Sequence, residues 1–304
     1  MKKFLKILTI NMILIISLLF LTEIFLFFCE YKNQQEIVIK NNFDTTNNEL
    51  FRYMITHYYF PSNLGIEEYR RYTPHNNFQS LQSPILLFGC SYTYGEFLKD
   101  NETFSSVLHK YTNKPVFNFG VSGTSPTEIL YALKNIELFK NIPAPKYVIY
   151  TYIQDHRHRL YSPIYSHLTN YKLSKKDNEY FLKEYQNILP QNTFIYRKLK
   201  EIYYINHISK SKKDYILMKT YIKGINKQIE NIWGKETSLV ILFYENEDEQ
   251  FLEEIKQLGI KIVLVSSLTK ENMQSQEYRI PDDEHPNKKA WEVIVPALVK
   301  ELNL

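Results

Sequence analysis

The chain has 304 residues, 44% of them hydrophobic, and a formal net charge of +4. That length and apolar content suit one large domain with extras and exclude global disorder. The mild charge, with no basic stripe or RNA-binding signature, argues against a nucleic-acid partner, and two cysteines, Cys29 and Cys90, are too few for a disulfide framework.

The first residues, Met1 to Lys6, are basic, and Ile7 to Phe28 is almost wholly apolar. About 22 residues at roughly 1.5 Å rise reach on the order of 33 Å, enough to cross the hydrocarbon layer. The run ends in Phe27-Phe28-Cys29 with no small-residue cleavage site, so it reads as an uncleaved signal anchor. Lys2, Lys3 and Lys6 hold the N-terminus in the cytoplasm and put the remainder outside it. Residues 1–29 are thus expected to be a cytoplasmic start and transmembrane helix, with the bilayer met through residues 7–28. Residues 30–83, polar and Asn-rich, read as a membrane-proximal stalk.

From residue 84 a regular pattern begins. Short apolar runs at Ile85–Phe88, Val116–Phe119, Tyr147–Tyr152, Ser238–Phe243 and Ile260–Val265 predict five strands. Helical patterns fall at Thr103–Tyr111, Pro126–Lys140, Asp214–Trp233, Asp248–Leu258 and Lys288–Leu302, with Ser125 as a cap before Pro126. Strands alternating with helices predict an α/β fold. It is a three-layer α/β/α, flavodoxin-like doubly wound parallel sheet of about five strands, preceded by the transmembrane helix and spanning 84–304. Such sheets take ligands at the carboxyl ends of their strands. The stretch of about 155–211, rich in Tyr, Lys and Asn, exceeds an ordinary connection and reads as a lid or substrate-binding insertion.

Chemistry gathers at the strand ends. Ser91 follows the first strand within Gly89-Cys90-Ser91, and a serine hydroxyl needs a base before it attacks an ester. His285 and Asp282, in Asp282-Asp283-Glu284-His285, supply an imidazole and a carboxylate to orient it; Asp283 competes for that role, with Asp282 favoured on spacing. Asn118 to Gly123, after the second strand, offers a glycine whose bare N–H can approach an oxyanion.

These blocks resemble those of the SGNH (GDSL) hydrolase family, over about residues 84–304. Gly89-Cys90-Ser91 matches the family's Gly-Asp-Ser with Cys for Asp, and Asp282 with His285 matches its Asp-x-x-His. The resemblance implies Ser91 as nucleophile, His285 as base and Asp282 as orienting acid. It places the oxyanion donors on Ser91, on Gly123 (Gly120 being second) and on Gln154. Gln154 stands, in Tyr152-Ile153-Gln154-Asp155, where the family has Asn; His156 is an alternative donor. No cofactor and no metal are implied.

Asp155, His156, Arg157, His158 and Arg159 form a further cluster. Asp155, His156, Arg157 and Arg159 are candidates for a rim that binds an anionic part of a substrate. Metal binding through His156 and His158, which share a face if extended, and a solvated loop start are the alternatives. The resemblance and the outward topology together imply a membrane-tethered, extracytoplasmic serine esterase. Its expected substrates are O-acyl, above all O-acetyl, esters on cell-envelope or exported polysaccharide, or another small ester. An O-acyltransferase using the same triad, or an inactive glycan-binding or assembly protein on the same fold, are the rival readings.

Overall fold

Five apolar runs pair side by side, all parallel. They are β1 (Ile85–Gly89), β2 (Val116–Gly120), β3 (Tyr147–Tyr152), β6 (Ser238–Phe243) and β7 (Lys261–Leu264), in the order β2-β1-β3-β6-β7. The computed structural model describes residues 83–134, Phe139, 142–160, 170–176, 179–185 and 212–304, together with helical positions within 9–22. Most of the expected stalk, and much of the expected anchor, lie outside the described residues. Among the described residues no helix is long and apolar enough to cross a membrane. The helical positions within 9–22 carry exposed apolar side chains, among them Leu14, Ile15, Leu18 and Phe20.

Every residue of β1 and β2 is buried, because helices cover both faces of the sheet. Alternate side chains feed two cores. Leu86, Phe88, Phe117 and Tyr150 pack with α3 (Pro126–Lys134), α5 (Lys212–Trp233) and α6 (Glu249–Lys256). Ile85, Leu87, Ile149 and Val240 pack on the other face with α2 (Phe104–Thr112) and α8 (Lys288–Leu302), where Trp291 stacks on Phe104 at 4.5 Å. Each buried Leu, Ile or Phe contributes about 1.5–3 kcal/mol relative to exposure. Helix starts follow the sequence signals: Ser125 Oγ accepts from Thr127 N, and Asp248 accepts from Gln250 N and Phe251 N.

The long connection after β3 is not wholly irregular. It begins with a short helix, α4 (Asp155–Arg159), and holds an antiparallel hairpin, β4 (Asn170–Lys176) with β5 (Glu179–Tyr185), which meets α5. Only Asp177 and Asn178 separate the two strands in sequence, a hairpin signal that the composition of the segment obscures. Of the expected lid at about 155–211, residues 161–169, 177–178 and 186–211 lie outside the described residues.

Strand order reverses at β1, so β2 and β3 leave it in opposite directions and a crevice opens at their carboxyl ends. The residues following β1, β2, β3 and β6 converge there.

Candidate active site

Ser91 opens a one-turn helix, α1 (Ser91–Tyr94), two residues after β1 ends. Cys90, in extended conformation, provides no side-chain cap; its carbonyl accepts from Tyr94 N at 2.9 Å. The Ser91 N–H therefore belongs to the helix start, where amides have no intrahelical acceptor. The turn is pressed onto β2. Asn118 Nδ2 donates to Thr93 O at 2.9 Å and to Ser105 Oγ at 3.2 Å, while its Oδ1 accepts from Gly120 N at 2.9 Å. A Cβ on Gly120 would lie 2.3 Å from Tyr94 N, so only glycine permits this approach.

The turn after β2 is tied to the same place. Val121 N and Thr124 Oγ1 both donate to the Gly89 carbonyl, at 3.1 and 2.9 Å. Gly123, in this turn, has a φ of 75°, a left-handed value that suits glycine.

The last loop brings His285 to Ser91's neighbour. The His285 ring packs on Tyr92 (centroids 5.1 Å) and on Phe97 (5.7 Å), and the Tyr92 hydroxyl donates to Glu284 O at 3.1 Å. The acid on the imidazole is Asp283, which corrects the preference for Asp282. His285 Nδ1 donates to Asp283 Oδ1, and the same oxygen accepts from His285 N at 2.7 Å. Asp282 is exposed and sits at a φ of 59°, so the chain reverses through it and the following residue turns inward. Spacing in sequence did not register that reversal. Burial works to raise the Asp283 carboxyl, but the hydrogen bonds from His285, main chain and ring, outweigh it and hold it below the ordinary value. His285 Nε2, the other ring nitrogen, has no hydrogen-bond partner among the described residues. With the Nδ1–H directed at Asp283, Nε2 is the accepting nitrogen.

Gln154, expected as an oxyanion donor, is turned toward β6. Its Nε2 donates to Asn246 O at 2.6 Å, and its main-chain N donates to Glu245 Oε2 at 2.8 Å. One of its two amide N–H bonds is thus engaged away from the Ser91 turn.

The cluster at 155–159 divides between core and site, and two of the four expected rim residues, His156 and Arg157, are interior. His156 is fully buried; its Nδ1 pairs with the Tyr150 hydroxyl at 2.6 Å and its ring stacks on Tyr150. Burial, reinforced by the Arg159 charge, pushes the imidazole down to about 3, so it is neutral. Arg157 is also buried. It pairs with Glu247 at 2.8 Å and lies over the Tyr215 and Phe251 rings, and Glu247 accepts in turn from the Tyr152 hydroxyl. Neither His156 nor Arg157 is placed to meet a substrate. The segment is helical, whereas the metal alternative required it to be extended.

Arg159 alone of the basic pair reaches the site. Its Nε and Nη2 meet Asp155 at 2.7 Å, and Nη1 donates to Thr124 O at 3.1 Å, next to Gly123. It also faces Cys90. Burial raises the Cys90 thiol more than Arg159 lowers it, so the sulfur stays protonated.

Sequence reasoning missed Tyr92, Phe97 and Thr124, because their roles depend on contacts with residues far along the chain. Only the closeness of Tyr92 to the nucleophile was available as a signal.

No protein-family model matches the chain, and neither does any curated protein. Among solved structures it is similar to the lipase Lip_vut3 from a goat rumen metagenome, at 16% identity over 72% of this chain and 97% of that one (TM-score 0.43). It is similar to a member of the lipolytic protein G-D-S-L family from Veillonella parvula DSM 2008, at 13% identity over 72% and 97% (TM-score 0.39). A third is the acetyl xylan esterase Est2A from the rumen bacterium Butyrivibrio proteoclasticus, at 11% identity over 73% of this chain and 64% of that one (TM-score 0.45). The chain is therefore similar to lipolytic proteins of the G-D-S-L family and to esterases.

Proposed function

We propose that the chain is an SGNH-type serine esterase, tethered to a membrane by its apolar N-terminal run, with its catalytic domain outside the cytoplasm. It removes acyl groups, above all acetyl, from hydroxyls of cell-envelope or exported polysaccharide. The observation that carries the reaction is the His285 ring. It is bonded to Asp283 through Nδ1, unpartnered at Nε2, and packed on the residue that follows Ser91.

In this reading Nε2 takes the Ser91 proton as Oγ attacks the ester carbonyl. Asp283 stabilises the imidazolium and keeps the ring in the required tautomer. The oxyanion is held by the Ser91 and Gly123 N–H groups, donors fixed in advance by the ties of their turns to Gly89 and β2. His285 returns the proton to the departing alcohol, and water, deprotonated by the same imidazole, releases the acid from Ser91. The remaining N–H of Gln154 is available as a third donor.

A fluorophosphonate probe tests this directly. Covalent labelling of the native chain and none of Ser91→Ala, with the melting curve nearly unchanged, is the expected result. An unlabelled native protein would end the proposal. Sedimentation of the full chain with membranes, and its release on deleting residues 1–29, is the expected behaviour of the anchor.

A further inference from the structure

We propose that Phe97 is the specificity platform on the alcohol side of the ester, taking the apolar face of a sugar ring. The inference rests on the esterase reading and deepens it.

Phe97 is 66% exposed, and its ring meets the His285 imidazole edge to face at 5.7 Å. Tyr92, on the same imidazole, is buried, so it belongs to the fold, whereas Phe97 faces solvent. Apart from the N-terminal helical positions, Phe97 and Tyr111 are the exposed large hydrophobic side chains among the described residues. A single exposed apolar side chain is ordinary on a protein surface; the contact with the His285 imidazole is what sets Phe97 apart from Tyr111.

The backbone supports the same conclusion. Phe97 has a φ of 62°, a left-handed conformation that a bulky side chain adopts only when its surroundings force it. Leu98 N donates to Gly95 O at 3.1 Å and the Leu98 side chain is buried, which pins the turn and holds the aromatic outward. Strained backbone of this kind gathers at functional sites.

The chemistry of the base fixes which half of the ester Phe97 meets. The imidazole hands its proton to the leaving alcohol, so a ring packed against it flanks the alcohol and not the acyl group. The neighbours fix the kind of alcohol. Glu96, Lys99 and Asp100 flank the turn, and Leu98 is buried. Among the described residues Phe97 is a single outward aromatic with polar neighbours, a surround that offers a long alkyl chain no contiguous apolar wall. It does match a sugar ring, which offers one small apolar face and a rim of hydroxyls.

The test compares penta-O-acetylglucose with ethyl acetate, which share the acetyl group and differ in the alcohol. Phe97→Ala should raise KM for the sugar ester about tenfold, the scale of one lost stacking contact, and lower the ratio of kcat/KM for the sugar ester to that for ethyl acetate by about the same factor. Phe97→Trp should retain the sugar preference. Phe97→Gly relieves the backbone and should melt no lower than the parent, so its loss of sugar preference cannot be blamed on misfolding. Calorimetric affinity for penta-O-acetylglucose, measured in Ser91→Ala with and without Phe97→Ala, reads the platform without turnover. Weaker binding on removing the ring supports it even if Ser91 proves unreactive. Equal effects on both esters, or unchanged affinity, would overturn the platform while leaving the esterase reading intact.

Discussion

The Tyr92 hydroxyl donates to the Glu284 carbonyl at 3.1 Å across 192 positions of chain, and the Tyr92 ring packs against His285. The residue beside the candidate nucleophile thus also fixes the loop that carries the candidate base. Tyr92→Phe keeps the ring and deletes the tie, at a cost near 1 kcal/mol for one hydrogen bond. The expected outcome is about a tenfold lower kcat with KM little changed, read from steady-state kinetics on an acetyl ester.

Asp283 and Asp282 should separate cleanly. Asp283→Asn leaves the loop sterically intact but removes the carboxylate from Nδ1, and activity should fall by roughly 10³–10⁴. Asp282→Asn, at an exposed position with a left-handed φ that Asn tolerates, should stay within about twofold. The reverse ranking would restore Asp282 as the orienting acid.

Arg157→Met should act on stability and not on substrate affinity. It strands the carboxylate of Glu247, whose side chain is 1% exposed, and loss of one partner of such a pair typically costs about 3–5 kcal/mol. A lower urea midpoint is expected, with KM for an anionic ester unaltered relative to a neutral one. A selective rise in KM for the anionic ester would return Arg157 to the rim.

His156 should make the folded state acid-sensitive. The unfolded imidazole takes a proton near 6.5, whereas the buried one resists until about 3. Between those values the unfolded state holds one more proton, so stability rises with pH there by about 1.4 kcal/mol per unit and is lost on acidification. Asp283, held below its ordinary 3.8, adds a loss of the same sign only as pH falls below that value. Urea midpoints of native protein and His156→Phe at pH 7 and pH 5 check this, and the variant's should fall less over that interval.

Gly120→Ala drives a methyl group into the backbone of the α1 turn. Turnover should drop by more than about a hundredfold, because the nucleophile turn must shift by an amount that near-attack geometry does not tolerate. Partial retention of fold by circular dichroism, with Ser91 no longer labelled, is the expected pair of observations.

Local patterns accounted for the scaffold. The apolar runs at Leu86–Phe88 and Val148–Tyr150 needed no partner to be recognised, since strands buried on both faces read as continuous hydrophobic stretches. The hairpin at 170–185 escaped because Lys and Glu interrupt its apolar residues and its turn lies in an otherwise Asn- and Lys-rich segment. At the site, Ser91 and His285 stood out by residue type and position at strand ends. The choice between Asp282 and Asp283 did not, because it depends on one backbone torsion.

The sequence by itself determined the doubly wound sheet, the order of its helices and the two chain positions from which a hydroxyl and an imidazole would come. These are properties of periodicity and composition, carried by neighbours a few residues apart. Only the tertiary structure decided that Arg157 and His156 belong to the core and Arg159 to the crevice, although the three share one short helix. The physical reason is that burial and charge pairing are set by what packs against each side of a helix. For this one those partners, Tyr150, Tyr215, Glu247 and Thr124, come from four separate stretches of the chain.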